Sequence, residues 1–233
     1  MPKTNPRELS LTVEKQVCKN DLKKYYRFRK TVFYGGCATA DCLGCDLRCA
    51  YCWAQKKVWY PEKFGKYYSP EMVSENLIKM GLSLIRVSGG EPTIGKEHLL
   101  KLLTFIPENI LFILETNGIL LNEEYVKDLS KFNNIFVRVS LKGVDNQTFE
   151  RNTGMDGSFF RFQLRALELL KEYRIKFGAA ILFNLYSKSQ IKNLGIANLE
   201  YESLILYPFI ENSLRKKDIK IMRGDLRKSE KNL

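Results

Sequence analysis

Residues 84–92 read Leu-Ile-Arg-Val-Ser-Gly-Gly-Glu-Pro, an apolar run that ends in two glycines, a carboxylate and a proline. A short apolar run closed by glycine and proline predicts a buried strand followed by a turn. An amphipathic helical pattern precedes this run, and another follows it. The stretch therefore predicts one strand of a sheet whose connections are helices.

The same pattern recurs along the chain. Further strands are predicted at residues 31–34, 110–114, 135–141, 177–183 and 203–209, and helices at residues 70–81, 96–106, 122–131, 158–173 and 188–195. Ser69, Pro70 and Asn122 are residues that favour helix N-termini. Near-continuous apolar runs are typical of parallel strands covered on both faces. The fold class is therefore predicted as α/β, a partial (β/α)6 TIM-like barrel open on one side, with a doubly wound sheet as the alternative.

The domain organisation follows from the distribution of polar segments. The 233 residues are 45% hydrophobic and 27% charged, which is ordinary for one globular domain. Residues 1–30 are predicted as an N-terminal extension with a helix around 8–18, residues 31–210 as the barrel, and residues 211–233 as a basic C-terminal tail. The tail's cations are Arg215, Lys216, Lys217, Lys220, Arg223, Arg227, Lys228 and Lys231.

The formal net charge of +12 is compatible with a nucleic-acid partner or with a solvated lysine-rich surface, and the charge alone leaves both open. No run of about 18 apolar residues occurs, so neither a membrane span nor a membrane partner is expected. The N-terminus lacks the apolar segment of a secretory signal, which favours a cytoplasmic protein with reduced thiols.

The cysteines are clustered rather than spread along the chain as a disulfide framework would require. Cys45, Cys49 and Cys52 have the spacing C-x3-C-x2-C. Thiolates are the usual ligands of iron–sulfur clusters, and three of them leave one iron of a cubane open. A zinc site that also uses Cys42 is the alternative, in a non-catalytic zinc- or nucleic-acid-binding module. The short spacer Asp-Leu-Arg makes four ligands around one zinc ion crowded.

Polar motifs follow the predicted strands. The cysteine loop follows the first, residues 89–92 the second, residues 115–118 the third and residues 140–143 the fourth, and residues 208–209 end the sixth. Because the carboxyl ends of parallel strands meet at one edge, these motifs are predicted to converge in one site.

The loop Gly-Cys-Asp-Leu-Arg-Cys-Ala-Tyr-Cys-Trp at residues 44–53, followed by Ser-Gly-Gly-Glu-Pro at residues 88–92, resembles the radical S-adenosylmethionine (SAM) superfamily. The resemblance covers roughly residues 31–210. It implies an enzyme that cleaves SAM to methionine and a 5′-deoxyadenosyl radical, which takes hydrogen from a substrate. The implied cofactors are a [4Fe–4S] cluster on Cys45, Cys49 and Cys52 and a SAM molecule bound to its open iron.

The resemblance also implies the groups that bind SAM. Tyr51 would lie beside the adenine, and the methionyl ammonium would be bound by Gly89, Gly90 and Glu91. Within the family, the motifs after strands three and four are most similar to those of the glycyl-radical-enzyme activating enzymes. That likeness places Glu115 and Thr116 near the ribose or a monovalent cation and Lys142 on the SAM carboxylate, and it adds Asn117 and Ser140 to the cofactor-binding residues.

Ser140 and Ile210 depart from the activating enzymes, which carry an acidic residue and a histidine there. The position of Trp53, directly after the third cysteine, is similar to that of a tryptophan in a radical SAM enzyme of tRNA modification. A protein substrate and an RNA substrate therefore both remain open, with an electron donor such as a ferredoxin or flavodoxin as a further partner. The candidate catalytic residues are Lys142 and Arg138, because Arg138 interrupts an apolar strand and is expected to face an acidic group, SAM or substrate.

The remaining chemistry-bearing residues are predicted to be structural. His98, the only histidine, lies in the first turn of a predicted helix. Cys18, Cys37 and Cys42 are expected to be buried or free thiols rather than ligands of a second cluster.

Overall fold

The computed structural model describes residues 3–222 and the backbone of residues 227–228. Arg223 and Lys231 of the predicted basic tail lie outside the described residues, as do the side chains of Arg227 and Lys228. The helices are α1 Pro6–Val17, α2 Gln55–Trp59, α3 Pro70–Ile78, α4 Lys96–Thr104, α5 Glu123–Leu129, α6 Asn146–Thr153, α7 Phe160–Glu172, α8 Lys188–Lys192 and α9 Pro208–Lys216. In the described part of the chain, no helix has the length and apolarity needed to span a membrane.

The strands are β1 Cys18–Lys19, β2 Leu22–Thr31, β3 Cys37–Cys42, β4 Lys66–Tyr68, β5 Leu84–Gly89, β6 Leu111–Thr116, β7 Ile135–Leu141, β8 Lys176–Leu182, β9 Glu200–Glu202, β10 Ile205–Leu206 and β11 Arg227–Lys228. Strands β3, β5, β6, β7, β8 and β9 are parallel neighbours in that order. Strand β2 pairs antiparallel with β3 and carries β1 and β4. The sheet stays open between its end strands, which confirms the predicted partial barrel.

Successive residues of each parallel strand point alternately to the helix-covered face of the sheet and to the barrel interior. On β5, Ile85 and Val87 belong to the main apolar core, whereas Arg86 and Ser88 contact Glu115 of β6 on the other face. Burying the aliphatic face against the helices stabilises the barrel by removing apolar surface from water. The interior face is free to carry polar groups because the barrel is open.

The prediction of a first strand at residues 31–34 is wrong. Thr31 ends the antiparallel strand β2, and Phe33–Gly35 form a 3₁₀ turn in which Tyr34 has a φ of 57°. The first parallel strand is instead Cys37–Cys42, whose small residues allow close packing of the core. Strand β2 draws most of its residues from the predicted extension, so the sheet begins before residue 31.

The sixth predicted strand, residues 203–209, is also wrong. The strand that pairs with β8 is Glu200–Glu202, while Ile205–Leu206 pairs with β11 in a separate two-stranded sheet. Pro208 begins α9 rather than ending a strand, since proline fits the first helical position. Helix α9 therefore crosses the predicted boundary between residues 210 and 211.

The helix N-termini agree with the sequence signals. The side chains of Ser69 and Asn122 accept hydrogen bonds from the backbone of the first turns of α3 and α5. Helix α6 was missed by the sequence reasoning, although Asp145 and Thr148 form a capping box that is a recognisable start signal. This helix matters because its C-terminal end lies against the cysteine loop.

Candidate active site

The cysteine loop leaves the carboxyl end of β3 and is held by the C-terminal end of α6. The backbone N–H of Arg48 donates to the carbonyl of Thr153 at 3.1 Å, and that of Ala50 donates to the carbonyl of Asn152 at 2.9 Å. Inside the loop, the N–H of Leu47 donates to the sulfur of Cys45 at 3.4 Å. Backbone donors to sulfur are typical of thiolates that ligate iron–sulfur clusters.

The three predicted ligands lie in one loop, where Cys49 is buried and Cys45 and Cys52 are partly exposed. Burial raises the pKa of Cys45, Cys49 and Cys52, the last to about 12, and the neighbouring charge of Cys49 contributes to the increase for the other two. Three neighbouring thiols with raised pKa values become thiolates together only if a cation compensates their charge. A [4Fe–4S] cluster supplies that charge, so the donor set fits the predicted cluster.

The two glycines at the end of β5 allow the predicted SAM motif to touch the cysteine loop. Gly89 has a φ of 97°, and a Cβ on Gly90 would collide with the carbonyl oxygen of Gly44. The N–H of Gly90 donates to the carbonyl of Cys42 at 2.8 Å, and that of Glu91 donates to the carbonyl of Gly44 at 2.7 Å. The glycines are therefore needed for close backbone approach between the two loops.

The carboxylate of Glu91 is 2% exposed and tightly hydrogen-bonded. Its Oε1 accepts from the backbone N–H and hydroxyl of Thr93 and from the hydroxyl of Thr116, at 3.1, 2.7 and 2.6 Å. Its Oε2 accepts from the backbone N–H of Asn117 at 2.8 Å. These bonds leave Oε2 as the oxygen with room for a further donor.

Asn117 connects this carboxylate to the cysteine loop. Its side-chain N–H donates to Asp46 at 2.6 Å and lies 3.9 Å from the sulfur of Cys45. Asp46 is fully buried, and its Oδ2 has no partner in the described part of the chain. Burial and the charge of Glu91 raise the pKa of Asp46.

Glu115 lies in the barrel interior, where its carboxylate is already engaged. It accepts hydrogen bonds from Ser88 at 3.0 Å and from the hydroxyl of Tyr34 at 2.6 Å, and it lies 3.6 Å from both Arg86 and Arg138. The sequence alone did not indicate that Tyr34 reaches this carboxylate.

Arg138 is 7% exposed and pairs with acidic groups, one of the outcomes expected for it. Its guanidinium donates to Glu200 and Glu202 of β9, each at 2.8 Å. These ion pairs join β7 to β9 across β8. They also explain why β9, the last of the parallel strands, carries two glutamates.

Lys142 and Tyr51 lie close to the cysteines. The positive charge of Lys142 lowers the pKa of Cys49 against the dominant effect of burial, and its ammonium donates to the hydroxyl of Ser140 at 2.7 Å. Tyr51 is 8% exposed, and burial raises the pKa of its hydroxyl. The predicted SAM residues of strands β5, β6 and β7 therefore border the same loop.

Three positioning residues were missed by the sequence reasoning. The ammonium of Lys23, 1% exposed, donates to the carbonyls of Glu91, Pro92 and Ile94. Gln163 of α7 donates to the carbonyl of Asn117 and accepts from the N–H of Lys142, which joins two strand ends. No local pattern in the sequence could have indicated these contacts, since they join segments far apart in the chain.

Lys217 is the third of these residues and was assigned to the basic tail. Its ammonium lies beside Gly154, directly after α6, and its charge lowers the pKa of Cys49. Burial lowers the pKa of Lys217 itself. The charge of a second lysine besides Lys142 therefore acts on Cys49.

The structure does not bring the other cysteines or His98 into the site. Cys37 contacts the hydroxyl of Thr31 inside the sheet, and Cys42 lies in the apolar core. His98 bonds to Tyr25 and to the carbonyl of Asp21 instead of facing the cysteine loop. The geometry therefore favours structural roles for these residues, as the sequence predicts.

Comparisons with known proteins agree with this geometry. The Radical SAM superfamily matches residues 42–194, so the chain belongs to this superfamily, whose enzymes use a [4Fe–4S] cluster and SAM. The chain is 33% identical over 141 residues to the Fe-coproporphyrin III synthase of Methanosarcina barkeri, with 60% of this chain and 35% of that protein covered. It is 30% identical over 174 residues to the GTP 3′,8-cyclase of Clostridium perfringens, with 72% and 52% covered.

A solved structure, native anSMEcpe with bound AdoMet and the Cp18Cys peptide, is similar with a TM-score of 0.53 and 25% identity. The aligned region covers 69% of this chain and 48% of the chain in that structure. The chain thus spans between about a third and a half of the length of these relatives. Family membership makes the zinc-binding alternative the less favoured one.

Proposed function

We propose that this chain binds a [4Fe–4S] cluster through Cys45, Cys49 and Cys52 and acts as a radical SAM enzyme. The observation that carries the proposal is the bonded unit formed by Glu91, Asn117 and the cysteine loop. It joins the motif for the SAM ammonium to the motif for the cluster within one network of hydrogen bonds. When bound, the cluster and SAM supply a 5′-deoxyadenosyl radical that abstracts hydrogen.

The chain's own residues bind and orient SAM. The backbone of Gly89 and Gly90 and the open position on Oε2 of Glu91 accept hydrogen bonds from the methionyl ammonium. Lys142 binds the carboxylate as a point charge. Tyr51 lies against the adenine, while Thr116, Asn117 and Ser140 hold the strand ends in place around it.

Glu115 contributes indirectly in this proposal. Because two arginines and two hydroxyl groups already surround its carboxylate, it maintains the shape of the barrel interior rather than binding a monovalent cation or the ribose directly. Arg138 has the same kind of role and fixes β9.

The substrate and partners are a further part of the proposal. The Glu-Thr-Asn-Gly motif at residues 115–118 supports an activase-like protein substrate, and the charge of +12 supports RNA. Ile210, which stands where the activating enzymes carry a histidine, is buried in α9, so this feature of those enzymes is missing here. A ferredoxin or flavodoxin would deliver the electron.

The decisive experiment is anaerobic iron reconstitution of the wild type and of Cys49→Ala, with Cys37→Ala as the matched control. We expect about four irons in the wild type and the control, and loss of most iron from C49A. With dithionite and SAM, only the wild type and the control should form 5′-deoxyadenosine. Equal iron in all three proteins, or stoichiometric zinc instead, would contradict the proposal.

The substrate class is tested on the same reconstituted protein. A protein with a glycine loop, or a tRNA, should raise the rate of SAM cleavage if it is the substrate. Full turnover with a small metabolite alone would exclude both macromolecular substrates.

A further inference from the structure

Two arginines of β2 share one carboxylate in the barrel wall. The Nε atoms of Arg27 and Arg29 both donate to the same oxygen, Oδ2 of Asp41, at 2.7 and 3.0 Å. Asp41 is fully buried, whereas the two arginine side chains are 32% and 30% exposed. Two cations facing a single anion leave one positive charge in excess at this wall.

The arrangement also leaves hydrogen-bond donors open. A guanidinium has five N–H donors, and each arginine uses only its Nε on Asp41. Among residues 3–222, no side chain or carbonyl accepts from the terminal nitrogens of either arginine. The other oxygen of Asp41, Oδ1, is buried without a hydrogen-bond partner in the same part of the chain.

A β-bulge turns these arginines into the barrel. The register between β2 and β3 shifts between Tyr25 and Arg27, so Tyr25 stays in the apolar core while Arg27 pairs with Asp41 on the interior face. Bulges of this kind re-aim side chains. In register, Asp41 faces Ser88 of β5, and Ser88 bonds to Glu115. Arg27 therefore belongs to the interior row that lies just below the carboxyl ends of the strands.

Aromatic rings orient Arg27 toward the cysteine loop. Its guanidinium lies 5.6 Å from the ring centres of Tyr26 and Trp53, and Trp53 directly follows the ligand Cys52. Cation–π contacts at this distance restrict a guanidinium without consuming its N–H donors. The guanidinium of Arg27 is consequently held beside the residue that follows Cys52.

The opposite end of the row has the opposite sign. Arg138 pairs with both Glu200 and Glu202 on β9, the other end strand of the barrel, where the two glutamates outnumber the one arginine. Lys142, the residue proposed for the SAM carboxylate, follows β7 on that side. The excess positive charge of β2 is therefore separated from the proposed SAM carboxylate by several strands.

We infer that Arg27 and Arg29 form an anion-binding subsite for the substrate, which takes a phosphate or carboxylate group. The paired guanidinium forks match the geometry of such groups. The subsite defines the substrate class as anionic and places the anionic group at the β2 wall. That the bound anion belongs to the substrate rests on the proposed function. That the two arginines bind an anion does not depend on it.

The test is calorimetric titration of the reconstituted protein with inorganic pyrophosphate as the phosphate probe and succinate as the carboxylate probe. Arg27→Met and Arg29→Met are compared with Lys30→Met, which removes an exposed cation from the same strand. We expect R27M and R29M to bind the preferred probe at least tenfold more weakly than the wild type, with K30M unchanged. The probe that binds more tightly identifies the anion.

Other results overturn either the inference or the proposed function, and they are distinguishable. Absence of binding in the wild type, or equal affinities in R27M and K30M, would show that the arginines serve only the fold. Competition between pyrophosphate and SAM, with a raised Kd for SAM in R27M, would assign the arginines to SAM instead of substrate. Failure to form 5′-deoxyadenosine, with the anion still bound through Arg27, would contradict the proposed function and leave the subsite intact.

Discussion

The carboxylate of Glu91 accepts a hydrogen bond from the backbone N–H of Asn117 at 2.8 Å, which ties the turn after β5 to the turn after β6. Asn117 then reaches Asp46 in the cysteine loop. Three motifs that are far apart in the sequence thus become one buried unit. Disturbing any part of this unit should affect both stability and cofactor binding.

Glu91→Gln should destabilise the protein by about 1–3 kcal/mol, because either orientation of the new amide points an N–H at a backbone donor, that of Thr93 or Asn117. The variant should also bind SAM more weakly. Urea unfolding measures the first effect, and equilibrium dialysis of SAM measures the second. The exposed Glu97→Gln is the control, and equal behaviour of the two variants would contradict this account.

Lys23→Met should loosen the turn that carries Glu91. The buried ammonium donates to three carbonyls of this turn, and methionine leaves them without a donor at a cost of at least about 2 kcal/mol. Urea unfolding of K23M against the exposed Lys19→Met measures this cost. If both variants unfold at the same urea concentration, the carbonyl contacts contribute nothing.

The stability of the protein should fall in mild acid because of His98. Burial lowers the pKa of His98 to about 4, so between this value and the ordinary pKa near 6.5 the unfolded chain binds the proton and the folded chain does not. The contribution of His98 is complete at pH 7 and about 2 kcal/mol smaller at pH 5.

His98→Gln removes this titration, so the difference in free energy of unfolding between the wild type and H98Q should shrink as the pH falls from 7 to 5. Urea unfolding at the two values measures it. A difference that stays constant would show that His98 titrates normally in the folded state.

Lys217→Met should lower the reduction potential of the reconstituted cluster by tens of millivolts, on the order expected for one nearby charge in a partly buried site. The physical reason is that the reduced cluster carries one more negative charge, which the ammonium stabilises. A redox titration followed by electron paramagnetic resonance measures the potential. Lys216→Met, an exposed neighbour on α9, should leave it unchanged, and equal shifts in both would show a general surface effect.

Predictions from the sequence succeeded where one segment carries its own signal. The apolar run Ile135–Leu141 forms β7 with the predicted bounds, and Ser69 caps α3 as expected. They failed at residues 31–34 and 203–209, where an apolar composition was taken as a sign of a strand paired in the main sheet. Strand β9 is polar and is joined to β7 by ion pairs of Arg138, which no window of hydrophobicity can detect.

The sequence by itself determined the cysteine spacing, the glycines before Glu91 and the central strands and helices of the barrel, because each depends on residues close together in the chain. Only the tertiary structure decided that Glu115 is held between Arg86 and Arg138, and that Lys23, Gln163 and Lys217 reach the site. Those contacts are hydrogen bonds and charges between distant segments. Their geometry exists only after the strands have aligned, so no local pattern records it.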